Sequence, residues 1–211
     1  MSTRRSVYKK SLSLAVVILA AGKSQRFGSP KQIAMMNGQS LINNCIQNCS
    51  KLNVPIFVVL GANRELVKQQ IQPCGSPLNF INNPSFTQGL STSIRAGVIA
   101  SLNKFDGLLF VTCDQVMVSF EDLNQLTSAW ASEPHRMVSA RYKGTIGIPA
   151  IFPKTSFHAL TQLTGDKGAK SLLNSSPHCH VVDIESAAID IDTPEDLASA
   201  SIAFKQLCHE Q

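Results

Sequence analysis

The chain predicts an α/β fold, layered around a mostly parallel central sheet. Three observations support this. Short runs rich in β-branched residues alternate with amphipathic stretches along the whole sequence. The first run, Leu14 to Leu19, is apolar at every position, as in a strand covered on both faces. And 211 residues with 44% hydrophobic content suffice for one substantial core.

The elements follow in order. Leu14–Leu19 is the first strand, and 41–52 reads as a helix with apolar or Cys side chains at 41, 42, 45, 46, 49 and 52. Ile56–Leu60 is a strand, and 64–71 a helix. After a loop from Pro73 to Pro77, residues 78–81 form a short strand, and Asn82-Asn83-Pro84 turns the chain. Residues 91–102 are helical, and 108–112 form a further buried strand. Ser119, with Asp122 three residues on, caps a helix running to about Ser132. Strands at 137–141 and 148–152 flank a Lys143-Gly144-Thr145 turn. Helices at 155–163 and 167–173 are broken by Gly165, and 181–184 is the last strand. Thr193-Pro194-Glu195-Asp196 opens the final helix with a cap, a proline at its first position and two acids in its first turn. Without repeats, low-complexity runs or linkers, residues 13–211 read as one domain behind a flexible basic arm, 1–12.

The net charge of +5 misleads. Arg4, Arg5, Lys9 and Lys10 lie in the first ten positions, which leaves 15 basic residues against 14 acidic ones. No basic stripe remains for a nucleic acid, and aromatic residues are too sparse for base stacking. The basic head with the apolar run behind it resembles a secretory signal, but cleavage near Ala21 would remove the first strand. The run is also too short for a bilayer, which needs about 20 residues. Six cysteines without Cys-x-x-Cys spacing suit a reducing compartment, so a cytoplasmic protein without membrane contact is expected. His178-Cys179-His180 is too tight to converge on one metal ion.

Four places carry chemistry. The loop closing the first strand, Leu19-Ala20-Ala21-Gly22, lets backbone N–H groups approach a phosphate, with Arg26 and Lys31 to neutralise it. It is neither a Walker A loop, since Val17 stands where the first Gly belongs, nor a Gly-x-Gly-x-x-Gly fingerprint. Asp114 follows a buried strand at the carboxyl edge of the sheet, where α/β folds bind ligands, and offers Mg2+ a hard oxygen. Asp190 and Asp192 point the same way if their segment is extended. Gly89 and Ser93 lie in a hydroxyl-rich helix start that can set N–H and O–H groups against a base.

In this order the motifs resemble the molybdenum cofactor cytidylyltransferase-like family of the MobA-like NTP transferases. The resemblance rests on Leu-Ala-Ala-Gly with Arg26 and Lys31, on Asn83, Gly89, Ser93 and Gly97, and on Cys113-Asp114-Gln115. Gly165-Asp166-x-Gly168-Ala169 and Asp190-Ile191-Asp192-Thr193-Pro194 complete it. It covers residues 14 to about 200 and implies a three-layer Rossmann-like nucleotidyltransferase fold. It implies Mg2+ held by Asp114 and an acid of the 190/192 pair, CTP or another NTP bound at residues 19–22, 26, 31, 89 and 93, and catalysis by Arg26, Lys31 and Asp114. Ala21, where guanylyltransferases have Gly, favours CTP. The implied acceptor is a phosphorylated small molecule such as molybdopterin, with a molybdoenzyme as a further partner. One position departs: the family's Gly-His-Pro is Gly147-Ile148-Pro149 here, which opens the acceptor's identity. Other readings are a guanylyltransferase, a cytidylyltransferase for a sugar or alcohol phosphate, and a non-catalytic cofactor chaperone for molybdoenzymes.

Overall fold

The computed structural model describes residues 12–209, so the predicted basic arm lies, but for Leu12, outside the described residues. The strands are β1 (Leu14–Ala20), β2 (Met35–Met36), β3 (Gln39–Ser40), β4 (Ile56–Leu60), β5 (Leu78–Asn82), β6 (Gly107–Thr112), β7 (Val138–Tyr142), β8 (Thr145–Pro153) and β9 (His180–Asp183). The helices are α1 (Leu41–Ser50), α2 (Arg64–Gln70), α3 (Leu90–Ser101), α4 (Phe120–Ser132), α5 (Phe157–Thr161), α6 (Lys170–Ser175) and α7 (Pro194–His209).

Seven strands form one sheet in the order β5-β4-β1-β6-β8-β7-β9. Every neighbouring pair is parallel except β6–β8 and β7–β8, so β8 alone runs against the rest. The apolar run of β1 explains its central place: its side chains alternate between two separate cores. Val16, Ile18 and Ala20 pack with Ile42 and Ile46 of α1, Val67 of α2 and Leu126 and Trp130 of α4. Ala15, Val17 and Leu19 pack with Ile94 and Val98 of α3, Leu160 of α5 and Leu173 of α6. These are the three layers expected. Helix α3 comes so close to β1 that a Cβ on Gly97 would lie 2.6 Å from Val17 Cγ1.

Most elements stand within a few residues of their predicted places, and the departures have local causes. Helix α4 begins with the expected capping box: Ser119 Oγ accepts from Asp122 N, and Asp122 Oδ2 accepts from Ser119 N. The helix expected from 167 starts only at Lys170, because Gly165 and Gly168 both take positive φ. The helix expected at 155–163 splits into a 3-10 turn, Lys154–Ser156, and the short α5. Strand β8 extends back to Thr145, directly from the turn. The antiparallel β2–β3 pair was not expected, although Asn37-Gly38, with φ of 51° and 86°, is a strong hairpin signal.

Candidate active site

Strand β1 has β4 on one side and β6 on the other, both parallel, so the connections leave it in opposite directions. Ligands bind outside the carboxyl ends of strands at such a switch point. A cleft of about 440 Å³ opens there, within the size range of small-molecule sites. It is lined by Leu19, Ala20, Ala21 and Gly22 from β1 and its loop, by Arg26 and Lys31, by Gly89 and Ser93 at α3, and by Asp114 and Asp192. Of the nucleotide-binding, catalytic and metal-holding residues expected from sequence, all but Asp190 line this cleft, while Ile148 of the departing Gly-Ile-Pro does not.

The loop after β1 is shaped by where its carbonyls go. Gln32 Nε2 donates to Ala20 O at 3.2 Å and Gly22 O at 2.9 Å, while Ala62 N donates to Ala21 O at 3.1 Å. In a trans peptide the N–H points opposite to the C=O. Pinning these three carbonyls therefore turns the N–H groups of Ala21, Gly22 and Lys23 away from those partners, as an anion-binding nest requires. Ser24 serves the loop itself: its Oγ accepts from Lys31 N and donates to Gln32 Oε1. Lys23 lies 5.9 Å from the centre of the Phe86 ring, so the Lys-Ser pair that mimics a Walker A motif has other partners.

The acids sit across the cleft. Lys31 Nζ donates to Asp114 Oδ2 at 2.7 Å, Ile191 O at 2.8 Å and Asp192 Oδ1 at 3.1 Å, which uses all three ammonium hydrogens. Burial alone would lower the Lys31 pKa, but Asp114 and Asp192 outweigh it and hold the value above 10.5, so the side chain stays charged. Arg26 Nη2 reaches Asp192 Oδ2 at 2.8 Å from a side chain that is 72% exposed. Asp192 is free to do this because α7 is capped by its neighbours: Asp196 Oδ2 accepts from Asp192 N and Thr193 N, and Thr193 Oγ1 accepts from Asp196 N. Asp190 is exposed and, among the described residues, makes no hydrogen bond or ion pair. Partial desolvation, then the fields of Asp114 and Asp192, push its pKa up.

Two carboxylates from distant segments thus face one cation, Lys31 Nζ. Mg2+ takes oxygen ligands, often one or two carboxylates completed by substrate phosphates and water. Asp114 and Asp192 fit that donor set. Among the described residues no group of three or more His, Cys, Asp or Glu is placed to hold a metal, so a metal here would need ligands from the substrate. Cys113 also lines the cleft, but burial and then the field of Asp114 push its thiol pKa well up, which makes it a poor nucleophile.

At the mouth of α3, Asn83 Nδ2 donates to Thr92 Oγ1 and Ser93 Oγ. That leaves the Ser93 hydroxyl its own hydrogen to donate. Gly89 has φ of 104°, and a Cβ there would lie 2.5 Å from Gly165 C, so only glycine fits. Asp166 and Gln115 stand within the sequence motifs without a site role assigned to them, and nothing in the sequence singles out Gln32. Asp166 lines the cleft and accepts from Leu90 N at 3.3 Å.

A loop with its carbonyls pinned behind it and a cation held between two acids thus meet at the switch point of a mostly parallel sheet, where α/β folds bind ligands. The chain belongs to the MobA-like NTP transferase domain family, which matches residues 16–181, and is a nucleotidyltransferase. It is 26% identical over 199 residues to the molybdenum cofactor cytidylyltransferase of Escherichia coli (strain K12), covering 90% of this chain and 97% of that protein. It is 27% identical over 189 residues to the probable molybdenum cofactor guanylyltransferase of Rhodopirellula baltica, covering 86% and 88%. Its fold matches that of Rv0371c from Mycobacterium tuberculosis H37Rv, solved in complex with manganese. The TM-score is 0.71 at 21% identity, over 89% of this chain and 97% of that one.

Proposed function

We propose that the protein transfers CMP from CTP to a phosphorylated acceptor of the molybdopterin type and releases pyrophosphate. The observation that carries this reading is the meeting of Lys31, Asp114 and Asp192 across one cleft from the Leu19–Gly22 loop. An acceptor phosphate oxygen attacks the α-phosphorus of CTP, the bond from that phosphorus to the bridging oxygen breaks, and pyrophosphate leaves with the electron pair. The acceptor phosphate is already ionised at neutral pH, so no protein nucleophile is needed, and Cys113, whose thiol pKa is pushed up by burial, is not called on as one.

The chain's own residues position and neutralise. The N–H groups of Ala21 and Gly22 receive phosphate oxygens, Arg26 and Lys31 balance the charge of the leaving group, and Gly89 and Ser93 seat the base. Asp114 and Asp192 would hold Mg2+, which supplies charge neutralisation at the phosphate oxygens. Asp190 is a further acid available to that metal from the rim. CTP is supported by Ala21 and by the cytidylyltransferase relative. Ile148 stands where that group has the His of Gly-His-Pro, and its side chain packs against the core rather than hydrogen-bonding, which leaves the acceptor's identity open. Residues 13–211 would form this one catalytic unit.

Pyrophosphate release tests the proposal, with CTP or GTP, each acceptor added in turn, and Mg2+ present or chelated. Release from CTP with a molybdopterin acceptor, abolished by chelation, is expected. A preference for GTP, or for a sugar phosphate, would replace the donor or the acceptor. Tight nucleotide binding that ignores Mg2+ and never yields pyrophosphate would point to a cofactor chaperone instead.

A further inference from the structure

Two glutamines, both almost wholly buried, do the same job in two different segments: Gln32 lines the cleft, and Gln115 sits next to Asp114 in sequence. Gln32 is 2% exposed and Gln115 is 7% exposed. Each donates both hydrogens of its Nε2 to two main-chain carbonyls and accepts a hydroxyl hydrogen at Oε1. For Gln32 the carbonyls are those of Ala20 and Gly22, and the hydroxyl is that of Ser24. For Gln115 they are those of Ile148 and Ala187, each at 2.9 Å, and the hydroxyl is that of Thr112, at 3.1 Å. The partners fix which way each amide faces, because a flipped amide would set its oxygen against two carbonyl oxygens.

What each amide holds differs. Gln32 grips the loop whose N–H groups face the cleft. Gln115 grips strand β8 at Ile148 and the 3-10 turn Glu185–Ala188, which leads within a few residues to Asp192. A second link, Ile191 N to Asp114 O at 3.0 Å, then lays that segment beside Asp114. Tyr142 also donates to Ile148 O, at 3.1 Å, so the carbonyl at the departing position is held twice. A carbonyl left without a donor in the interior is costly, which gives each loop a reason to keep its shape only while the amide is present.

We propose that Gln32 and Gln115 are two independent positioning residues. Gln32 sets the Leu19–Gly22 loop, and Gln115 sets the spacing of Asp114 and Asp192 by tying the Glu185–Ala188 turn to β8 at Ile148. The inference rests on the nucleotidyl-transfer reading above. It predicts that the two act on different constants. Gln32→Met keeps the volume and removes both donors, and should weaken CTP binding tenfold or more by calorimetry while Mn2+ affinity in the presence of saturating CTP stays within twofold. Gln115→Met should leave CTP affinity within twofold, weaken Mn2+ binding by electron paramagnetic resonance, and lower kcat tenfold or more. The milder Thr112→Val removes the hydroxyl that orients Gln115, and Ser24→Ala removes the one that orients Gln32 together with the acceptor of Lys31 N. They should move the same constants in the same direction by less, and they keep the test alive if a Met variant fails to fold.

The paired variant should show the product of the single effects, as separate sites do. Variants that lower Tm but leave both affinities within twofold would overturn the proposal, as would two glutamines that shift the same constant. A wild-type enzyme that releases no pyrophosphate from any nucleotide would sink the transfer reading instead. The calorimetric and resonance measurements would still decide the roles of the two glutamines.

Discussion

The two halves of the cleft are made of different material. The half proposed to take the nucleotide (the nucleotide half) is backbone: small residues at 20–22, carbonyls pinned behind them, and N–H groups in front. The acid half is side chain: Lys31, Asp114 and Asp192, brought together within 3.1 Å. Backbone donors are present whatever the side chains are, so the nucleotide half fails only when its shape changes. The acid half fails when a single functional group is removed. The same contrast separates the two cations. Lys31 is mostly buried and spends every hydrogen, whereas Arg26 is mostly exposed and, among the described residues, pairs with Asp192 alone.

Removing one group from the acid half should therefore have the largest effect. Asp114→Ala is expected to lower turnover 100-fold or more, on the order of 3 kcal/mol in the barrier, as for loss of one key electrostatic element. Steady-state rates at saturating Mg2+ measure it, and near-normal turnover would remove Asp114 from the site. In the nucleotide half the comparable damage is steric. Gly89→Ala puts a Cβ 2.5 Å from Gly165 C at a positive φ, so about 1–3 kcal/mol of stability should be lost. Urea unfolding checks the loss, and an unchanged midpoint would mean that the 165–168 loop gives way freely. Arg26→Ala comes next. Its ion pair is exposed, so stability should change by less than about 1 kcal/mol while the KM for nucleotide rises several-fold. A Tm drop with an unchanged KM would reverse that assignment.

The two halves also differed in how far they could be read from sequence. Strands such as β1 and β4 were legible because burial on both faces demands an unbroken apolar run. The place of the Leu19–Gly22 loop at the cleft was legible for a related reason, since it follows directly from the carboxyl end of β1 and is local to four consecutive residues. Asp114 could be placed at a strand end, but its partner could not be chosen from sequence. Lys31 meets Asp114 across 83 positions and Asp192 across 161, and no spacing rule reaches that far. Asp190 and Asp192 looked equivalent in an extended segment, and only the capping of α7 by Thr193 and Asp196 turns Asp192 to the cleft. Gln32 left no signal, and Gln115 stood in the Cys113-Asp114-Gln115 motif with nothing to mark what it holds. The carbonyls that Gln115 grips come from 33 and 72 residues away, beyond the reach of any local pattern. The β2–β3 hairpin was a different kind of miss, because Asn37-Gly38 announces it.

The smallest effect tests the acid half at its rim. Burial and the neighbouring Asp114 and Asp192 raise the Asp190 pKa above the usual 3.8. As pH rises past 3.8 the unfolded chain loses this proton before the folded one does, so folding loses stability until the raised value is passed. The loss then persists to neutral pH. Asp190→Asn carries no such charge and should show a slightly higher Tm than the wild type at pH 7, with the gap closing as pH falls below 3.8. Its turnover should fall far less than that of Asp192→Asn, whose carboxylate bonds Lys31 and Arg26 directly. Equal losses from the two substitutions would bring Asp190 into the metal-holding set, and a gap in Tm independent of pH would rule out its charge as the cause.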